Sequence, residues 1–379
     1  MVSRSLIVVL GNRPQFIKHA ALHQAWTQRA HPDLRMIVVD TGQHYDYALA
    51  GVFLDELAIP KPDHELMVGS ASHAEQLARM LVPLEELMIR EKPAAVVVCG
   101  DTNSTLGGLL AAAKLNIPVA HIEAGLRSSD MTMPEEINRV LVDHASSLLF
   151  APTDAAVANL AKEGIAGGHV RQVGDVMADV ALSIAPAADR RWPVLRDKLS
   201  LPEAGTFAVA TIHRAANTEP EALREIISCL AAVGHPVLLP LHPRTQHALT
   251  NSGLHMDLAD IEHVHILPPL GYVDLAAAVR AAALVLTDSG GLQKEAYLHG
   301  TPCITLRSTT EWVETLDTGL NVLAGRDPLI VATAAAVAFD GSLDARIASR
   351  PDLYGDGTAA SQIVAALIDH AEARLHLAL

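Results

Sequence analysis

The chain has few features that would place it outside a reducing compartment or in a membrane. It has only three cysteines in 379 residues, none in a Cys-x-x-Cys spacing, so we expect neither a disulfide framework nor a thiolate metal site. The apolar segment at residues 5–10 is too short to span a bilayer, and no other uninterrupted apolar run reaches spanning length. We therefore expect a cytoplasmic protein with no membrane partner.

Basic residues are also scarce. Twenty-eight Lys and Arg stand against forty-three Asp and Glu, which gives a net charge of −15. This charge opposes general attraction to nucleic acid, so we expect no nucleic-acid partner. An anionic ligand would need a local basic pocket.

Motifs for metals and tightly held dinucleotides are missing as well. The 19 histidines include no His-Glu-x-x-His pair, and no aspartate cluster of the magnesium type occurs. No Gly-x-Gly-x-x-Gly motif follows the first predicted strand, which argues against a tightly held NAD. We expect a reaction with no metal and no cofactor.

What the chain does have is aliphatic. Half of its residues are hydrophobic and only 3% are aromatic, a mixture typical of a parallel sheet covered by helices. Short apolar runs alternate with helix-period segments in both halves, as expected of repeated βα units. We predict an α/β protein with two domains, residues 1–184 and 185–358, followed by a long helix at 359–379. The proline-rich, charged segment at 186–205 is interpreted as a connector between domains.

The central stretch is His121–Arg139, "HIEAGLRSSDMTMPEEINR". Glu123 follows a predicted strand, while Glu135 and Glu136 open a predicted helix. Two carboxylates brought to one pocket from separate elements suit acid/base chemistry at a sugar carbon. Acidic residues after Pro134 also favour a helix N-terminus for electrostatic reasons alone, so both interpretations stay open here.

Polar groups follow other predicted strands, where open α/β sheets bind ligands. Asp101 lies in "GDTNST", Gln43 and His44 in "TGQHYD", and His213 in "TIHRAAN". An Asp in such a place is often only a helix N-cap. Most lone histidines are satisfied core or surface residues, although His213, directly before an arginine, is poorly placed for a core.

Two strand-to-helix turns suit a diphosphate. In "DSGGLQKEA", Ser289, Gly290 and Gly291 would expose backbone N–H groups at a helix start, with Glu295 one turn later. In "GNRPQFIK", Arg13 and Lys18 supply cations at a similar turn. A plain glycine turn and ordinary surface cations are the simpler alternatives.

Taken together, the motifs resemble those of the non-hydrolysing UDP-N-acetylglucosamine 2-epimerase family. They occur in order over nearly the whole chain: "GNRPQFIK", "TGQHYD", "GDTNST", "HIEAGLR", "MPEEINR", "GDVMAD", "TIHR", "HPRT", "LTDSGGLQKEA" and "STTEWVE". The resemblance implies two Rossmann-like domains in the glycosyltransferase-B arrangement, an active site in the interdomain cleft, a C-terminal helix packed on the first domain, and a homodimer.

The resemblance also implies a reaction. UDP is eliminated from a UDP-2-acetamido sugar to give a 2-acetamidoglucal, C2 is reprotonated from the opposite face, and UDP adds back. The implied catalytic residues are Asp101, Glu123, Glu135 and His213. The implied substrate-binding residues are Arg13, Lys18, Gln43, His44, Arg139, His242, Ser289, Gly290, Gly291, Glu295 and Arg307.

Several residues depart from the family pattern. Trp312 stands where many members have an arginine, and Lys294 stands where a glutamate is usual. These departures resemble a subgroup of archaeal epimerases and enzymes acting on UDP-2,3-diacetamido-2,3-dideoxyglucuronate. The family as a whole implies UDP-GlcNAc as the first expected substrate, and the subgroup implies the diacetamido uronate as the second. Bacterial members of the family bind a second, activating UDP-GlcNAc near the active site, partly through residues after the "GQH" turn. Tyr45 and Asp46 stand at that place here, which predicts that this activation is altered or lost.

Other functions remain open alternatives. A hydrolysing epimerase would release UDP and free N-acetylmannosamine. A glycosyltransferase of the same fold would need an acceptor site, and a nucleotide-sugar sensor would bind without turnover.

Overall fold

A computed structural model describes residues 5–29, 31–43 and 59–377. The described residues up to Val180, together with those from Leu353 onward, form one compact unit. Residues Ala181–Asp352 form a second unit. Both units are built of parallel strands and helices, so the predicted α/β class is confirmed.

The first unit contains a sheet whose strands, within the described residues, have the order β3-β2-β1-β4-β5-β6-β7. The strands are β1 (Ser5–Leu10), β2 (Arg35–Asp40), β3 (His64–Glu65), β4 (Ala95–Cys99), β5 (Val119–Ile122), β6 (Leu148–Ala151) and β7 (Val170–Gln172). The helices that follow these strands are α1 (Arg13–Arg29), α2 (His73–Glu91), α3 (Asn103–Lys114), α4 (Pro134–Ala145), α5 (Asp154–Lys162) and α6 (Val176–Leu199).

Burial explains why these segments are strands. Every residue of β1, β4 and β5 is buried, as expected of central parallel strands with both faces covered. The register pairs Cys99 of β4 with Ile122 of β5. Asp101 and Glu123 therefore leave neighbouring strands at the same edge of the sheet.

The second unit contains a six-stranded sheet of order β10-β9-β8-β11-β12-β13 among the described residues. Its strands are β8 (Ala208–Thr211), β9 (Val237–Pro240), β10 (Val264–Leu267), β11 (Leu284–Thr287), β12 (Cys303–Thr305) and β13 (Asn321–Leu323). Its helices are α7 (Ala215–Thr218), α8 (Pro220–Ala231), α9 (Pro243–Ser252), α10 (His255–Ala259), α11 (Tyr272–Ala281), α12 (Gly290–His299), α13 (Val313–Asp317), α14 (Pro328–Phe339) and α15 (Asp344–Ala348). Thr211 pairs with Thr287, so the turns after β8 and β11 also share one sheet edge.

The prediction of a connector at residues 186–205 is wrong. Most of this segment is the second half of α6, which runs to Leu199 and includes two prolines. Trp192 explains how the helix is held, because it is buried and stacks on Phe207 with ring centroids 5.1 Å apart. An ion pair between Arg191 and Asp274 adds a tie to α11. Tertiary packing therefore outweighs the loss of backbone hydrogen bonds at the prolines.

The last helix, α16 (Ala359–Leu377), packs against α1 within the first unit. The Asp179 carboxylate accepts hydrogen bonds from the backbone N–H groups of Ala359 at 3.2 Å and Ala360 at 2.7 Å. An anion at this position satisfies free N–H groups of the helix start and complements its dipole. The contact fixes where the C-terminal helix begins.

Candidate functional site

The turn after β4 carries Asp101 in an ion pair with Arg139. Arg139 lies on α4 and also contacts Glu136 one turn earlier at 2.9 Å. The backbone carbonyl of Asp101 accepts a hydrogen bond from the Asn138 side chain at 2.8 Å. Asp101 is not the cap of α3, because Thr102 caps that helix and accepts from the Thr105 N–H. The Asp101 carboxylate is part-exposed and is paired with a guanidinium.

The turn after β5 places Glu123 in an unusual backbone conformation. Its φ is +69°, in the left-handed region that glutamate rarely adopts. Its carboxylate is buried and forms an ion pair with Lys18 of α1. Burial by itself lowers the pKa of Lys18, but the Glu123 carboxylate outweighs this and raises the pKa above its usual value. Lys18 is therefore held as a cation against Glu123.

Gln15 connects the turn before α1 to the end of β4. Its side chain donates to the Cys99 carbonyl at 2.7 Å and accepts from the Gly11 N–H at 2.8 Å. Arg13, predicted to bind a diphosphate, is exposed at the first position of α1. From the sequence, Gln15 is a departure from the family pattern, where a glutamate is more usual, and it was not among the predicted site residues.

Gln43 is buried beside the start of α3. Its side-chain oxygen accepts hydrogen bonds from the N–H of Ser104 at 3.1 Å and from its hydroxyl at 2.7 Å. Through these contacts Gln43 holds the start of α3 against the turn after β2. His44, Tyr45 and Asp46 lie outside the described residues.

The two glutamates that open α4 differ in environment. Glu135 is exposed. Glu136 is buried, accepts hydrogen bonds from the Ser128 and Ser129 N–H groups, and contacts Arg139. Burial would raise the pKa of Glu136, but these hydrogen bonds outweigh it and hold the pKa below its usual value. Glu136 therefore fixes the loop before α4, while Glu135 is free to face a ligand.

In the second unit, Asp288 organises the turn that carries His213. Asp288 is fully buried, and its carboxylate accepts from the backbone N–H groups of His213 at 3.1 Å and Arg214 at 3.0 Å. It also accepts from the Asn217 side chain at 3.1 Å. The His213 ring lies 3.4 Å from Asp288 and 5.5 Å, centroid to centroid, from the ring of His242. Sequence reasoning missed Asp288, even though it directly precedes Ser289 in the quoted motif.

The glycine turn after β11 forms the start of α12. Ser289 caps the helix, and its hydroxyl accepts from the Leu292 N–H at 3.4 Å. The Trp312 indole donates to the Gly290 carbonyl at 2.8 Å, while Gly291 is exposed. A helix start with glycines in its first turn is suited to bind a phosphate.

Charged groups surround this turn. A Cβ on Gly290 would lie 3.5 Å from the Glu311 carboxylate, which contacts Arg307 at 2.8 Å and Arg214 at 3.5 Å. Burial would raise the pKa of Glu311, but Arg307 outweighs it and holds the pKa low. Two arginines, Arg214 and Arg307, therefore lie near the helix start together with the Glu311 carboxylate. Glu295 is half-buried one turn further along α12.

The structure thus gathers the predicted residues into two groups, one in each unit. Asp101, Glu123, Lys18 and Arg139 lie around two adjacent turns of the first sheet, with Gln43 nearby. The second group contains His213, His242, Ser289, Gly290 and Arg307. Among the described residues, no group of three or more His, Cys, Asp and Glu side chains is arranged to hold a metal ion. No helix in the described ranges is long and apolar enough to cross a membrane.

Two parallel sheets with charged and glycine-bearing turns at their carboxyl ends define a two-domain α/β protein of the nucleotide-binding class. A family model described as UDP-N-acetylglucosamine 2-epimerase matches residues 27–368. The chain belongs to this family.

Relatives support the same placement. The chain is 42% identical to the UDP-2,3-diacetamido-2,3-dideoxy-D-glucuronate 2-epimerase of Pseudomonas aeruginosa, over 94% of this chain and 98% of the relative. It is 40% identical to a UDP-N-acetylglucosamine 2-epimerase of Methanococcus maripaludis, over 85% and 88%. The crystal structure of the Methanocaldococcus jannaschii UDP-GlcNAc 2-epimerase in complex with UDP-GlcNAc and UDP superposes with a TM-score of 0.85 at 36% identity, covering 96% of this chain and 99% of that one. The predicted family and subgroup are confirmed.

Proposed function

We propose that the protein inverts C2 of a UDP-2-acetamido sugar, with UDP-GlcNAc to UDP-ManNAc as the first assignment. The observation that carries the proposal is the pair of carboxylates, Asp101 and Glu123, at neighbouring strand ends, each paired with a cation. Such a pair supplies the base and the acid that inversion at one carbon needs. The names of the relatives support the same chemistry.

The proposed reaction proceeds by elimination and addition. The C2 proton of an aldose sugar has no adjacent carbonyl to stabilise a carbanion. A carboxylate therefore removes this proton as the C1–O bond to UDP breaks, which leaves a 2-acetamidoglucal and UDP. An acid then protonates C2 on the opposite face, and the UDP oxygen adds to C1. The first unit supplies Asp101, Glu123 and Glu135 for proton transfer.

The second unit is assigned to UDP. The start of α12, with Ser289, Gly290 and Gly291, would accept the diphosphate, and Glu295 would bind the ribose hydroxyls. His213, held by Asp288, would stabilise the departing phosphate. Arg13 and Arg307 would add positive charge, which the departing UDP requires.

The diacetamido uronate is the second candidate substrate. It is supported by the 42% identity over nearly full length to the Pseudomonas aeruginosa relative, whose name gives that sugar. The two assignments share the reaction at C2 and differ in the groups on C3 and C5.

One NMR experiment tests the proposal. The protein is incubated in deuterated buffer with UDP-GlcNAc and, separately, with the diacetamido uronate. We expect deuterium at C2 of substrate and product without accumulation of UDP. Accumulating UDP and free N-acetylmannosamine would indicate a hydrolysing enzyme, and no exchange with either sugar would contradict the proposal.

We also propose that the protein is a cytoplasmic homodimer. Val82 and Ile89, two turns apart on α2, are exposed apolar side chains, and contact with a second copy would remove them from water. Light scattering during gel filtration would measure the mass, and a single-chain mass at micromolar concentration would contradict the dimer.

A further inference from the structure

Asp143 contacts the turn that carries Glu123 and is linked through His121 to the turn that carries Asp101. It lies on α4 and is almost completely buried. One carboxylate oxygen is 2.7 Å from His121 Nδ1. The other accepts the Gly125 N–H at 2.9 Å, two residues after Glu123, and the Arg127 guanidinium at 2.7 Å.

His121 extends this contact to the other turn. Its Nε2 lies 2.8 Å from the carbonyl oxygen of Gly100, the residue before Asp101. A carbonyl oxygen can only accept a hydrogen bond, and so can an ionised carboxylate. Burial alone would raise the pKa of Asp143, but His121 and Arg127 outweigh it and hold the pKa below its usual value. His121 therefore donates from Nε2 to the Gly100 carbonyl, while its Nδ1 faces the Asp143 carboxylate.

We propose that Asp143 and His121 form a brace that positions Asp101 and Glu123 relative to each other for proton transfer at C2. Neither brace residue touches the reacting atoms, so both are positioning residues. The inference rests on the proposed function, because its purpose is to hold two proton-transfer groups.

The backbone of both turns explains why a brace is needed. Gly100 has a φ of +70° and Glu123 a φ of +69°, so each turn contains a residue in the left-handed region. Glutamate is disfavoured in this region. Hydrogen bonds from His121 to the Gly100 carbonyl and from the Gly125 N–H to Asp143 restrain the two turns. A misplacement of about 1 Å is enough to cost on the order of 100-fold in rate.

The hydrogen bonds around Asp143 extend through Arg127 to Glu163, which does not contact either turn. Arg127 forms two hydrogen bonds of 2.7 Å to Glu163, the residue that follows α5. Glu163→Gln therefore disturbs a neighbouring ion pair and leaves the brace in place. It is the matched control for a purely structural role.

Two substitutions of His121 separate the contacts. The amide nitrogen of Gln takes the place of Nε2, so H121Q keeps a donor for the Gly100 carbonyl. The amide nitrogen of Asn takes the place of Nδ1, so H121N keeps only the contact with Asp143. We expect H121N to lower kcat for C2 exchange at least tenfold, with KM and UDP affinity within threefold of wild type. H121Q should be at least tenfold more active than H121N, although their melting temperatures are similar.

The possible outcomes are distinct. Equal activity of H121N, H121Q and E163Q beside an active wild type would overturn the brace and leave the proposed function intact. An inactive wild type that binds UDP would contradict the proposed function and the brace with it. NMR of the wild-type protein labelled with nitrogen-15 on histidine gives a second test that does not depend on the folding of H121N. The His121 signals are assigned by comparison with H121Q. A slowly exchanging proton on Nε2 of His121 supports the brace, and its absence would overturn it.

Discussion

Glu135 and Glu136 are neighbours in sequence with different surroundings. We expect Glu135→Gln to lower C2 exchange at least 100-fold, the lower end of what general acid/base groups contribute. Its free energy of unfolding should stay within about 0.5 kcal/mol of wild type, because the side chain is exposed. Deuterium exchange and urea unfolding measure the two effects.

Glu136→Gln is the matched variant. It weakens the contact with Arg139 and replaces an oxygen that accepts backbone N–H groups. We expect a loss of about 1–3 kcal/mol of stability, as when buried polar partners are left unsatisfied. If the two variants had equal free energies of unfolding, the burial of Glu136 would not distinguish its structural role from that of Glu135.

Glu123→Gln tests the other turn. The substitution removes the charge that Lys18 faces and the carboxylate that transfers the proton. We expect at least a 100-fold loss of C2 exchange, with UDP affinity within threefold of wild type by calorimetry. Normal exchange in this variant would remove Glu123 from the mechanism.

For single residues, the sequence predicts the candidate catalytic carboxylates better than it predicts the residues that hold them in place. Asp101 and Glu123 stand out because they directly follow predicted strands. The sequence does contain a signal for Glu136, Arg139 and Asp143. Their spacing of three and four residues places them on one face of a helix. The pairing of Asp143 with His121 depends on how α4 packs on β5, which a single sequence does not reveal.

Helix α6 packs on the second unit through a buried tryptophan, Trp192. Trp192→Ala removes the stack on Phe207, and we expect a loss of about 3–5 kcal/mol in the unfolding of the second unit. Val194→Ala, an exposed change in the same helix, should cost within about 0.5 kcal/mol. Similar urea midpoints for the two variants would contradict this account.

Helix α1 contains a histidine that makes the fold sensitive to acid. Burial, with a smaller contribution from nearby His23, lowers the pKa of His19 to about 3. The unfolded chain takes up a proton at this residue near pH 6.5, whereas the folded chain does not until about pH 3. Stability is therefore complete above pH 6.5 and falls as the pH drops toward 3, by about 2 kcal/mol between pH 7.5 and 5.

Urea unfolding at the two pH values measures this effect. His19→Leu should lose about 2 kcal/mol less than wild type between pH 7.5 and 5. His169→Leu, at an exposed position, should follow wild type. Identical pH dependence in His19→Leu and wild type would assign the acid sensitivity to other groups.

Proline and charge explain the wrong prediction for α6. Pro186 and Pro193 are read as helix breakers from sequence, and the surrounding charges suggest an exposed linker. The segment is helical because one face is buried, including Ala188 and Leu195. The prediction weighed local propensity, and tertiary packing overrode it.

For the whole molecule, UDP should stabilise the protein by mass action. At a UDP concentration 100 times its Kd, the gain is about 2.7 kcal/mol. We expect Gly290→Ala to melt like wild type without UDP, because its Cβ would meet its nearest atoms at 3.5 Å. Its UDP-induced shift in Tm should be smaller, since the methyl group lies at the proposed phosphate site.

Gly168→Ala is the control, since a Cβ there meets nothing within 4 Å. It should keep the full UDP-induced shift. Scanning calorimetry with and without UDP gives both values. An undiminished shift in Gly290→Ala would contradict phosphate binding at the start of α12.

The two parallel sheets were predictable because composition and alternation act over long stretches. In the second sheet, the apolar strands β8, β9 and β11 are each followed by a polar turn, and one mistaken turn does not change the class. The boundary of the units was harder to place, because α6 continues through it as a single helix.

The left-handed backbone of Glu123 has a consequence for engineering. Glycine or asparagine would adopt this conformation more easily, so a library selected only for thermal stability should enrich them at position 123. Such a selection would discard a carboxylate that the proposed reaction needs. A thermostabilisation campaign on this protein should therefore keep residue 123 fixed and monitor C2 exchange in every round.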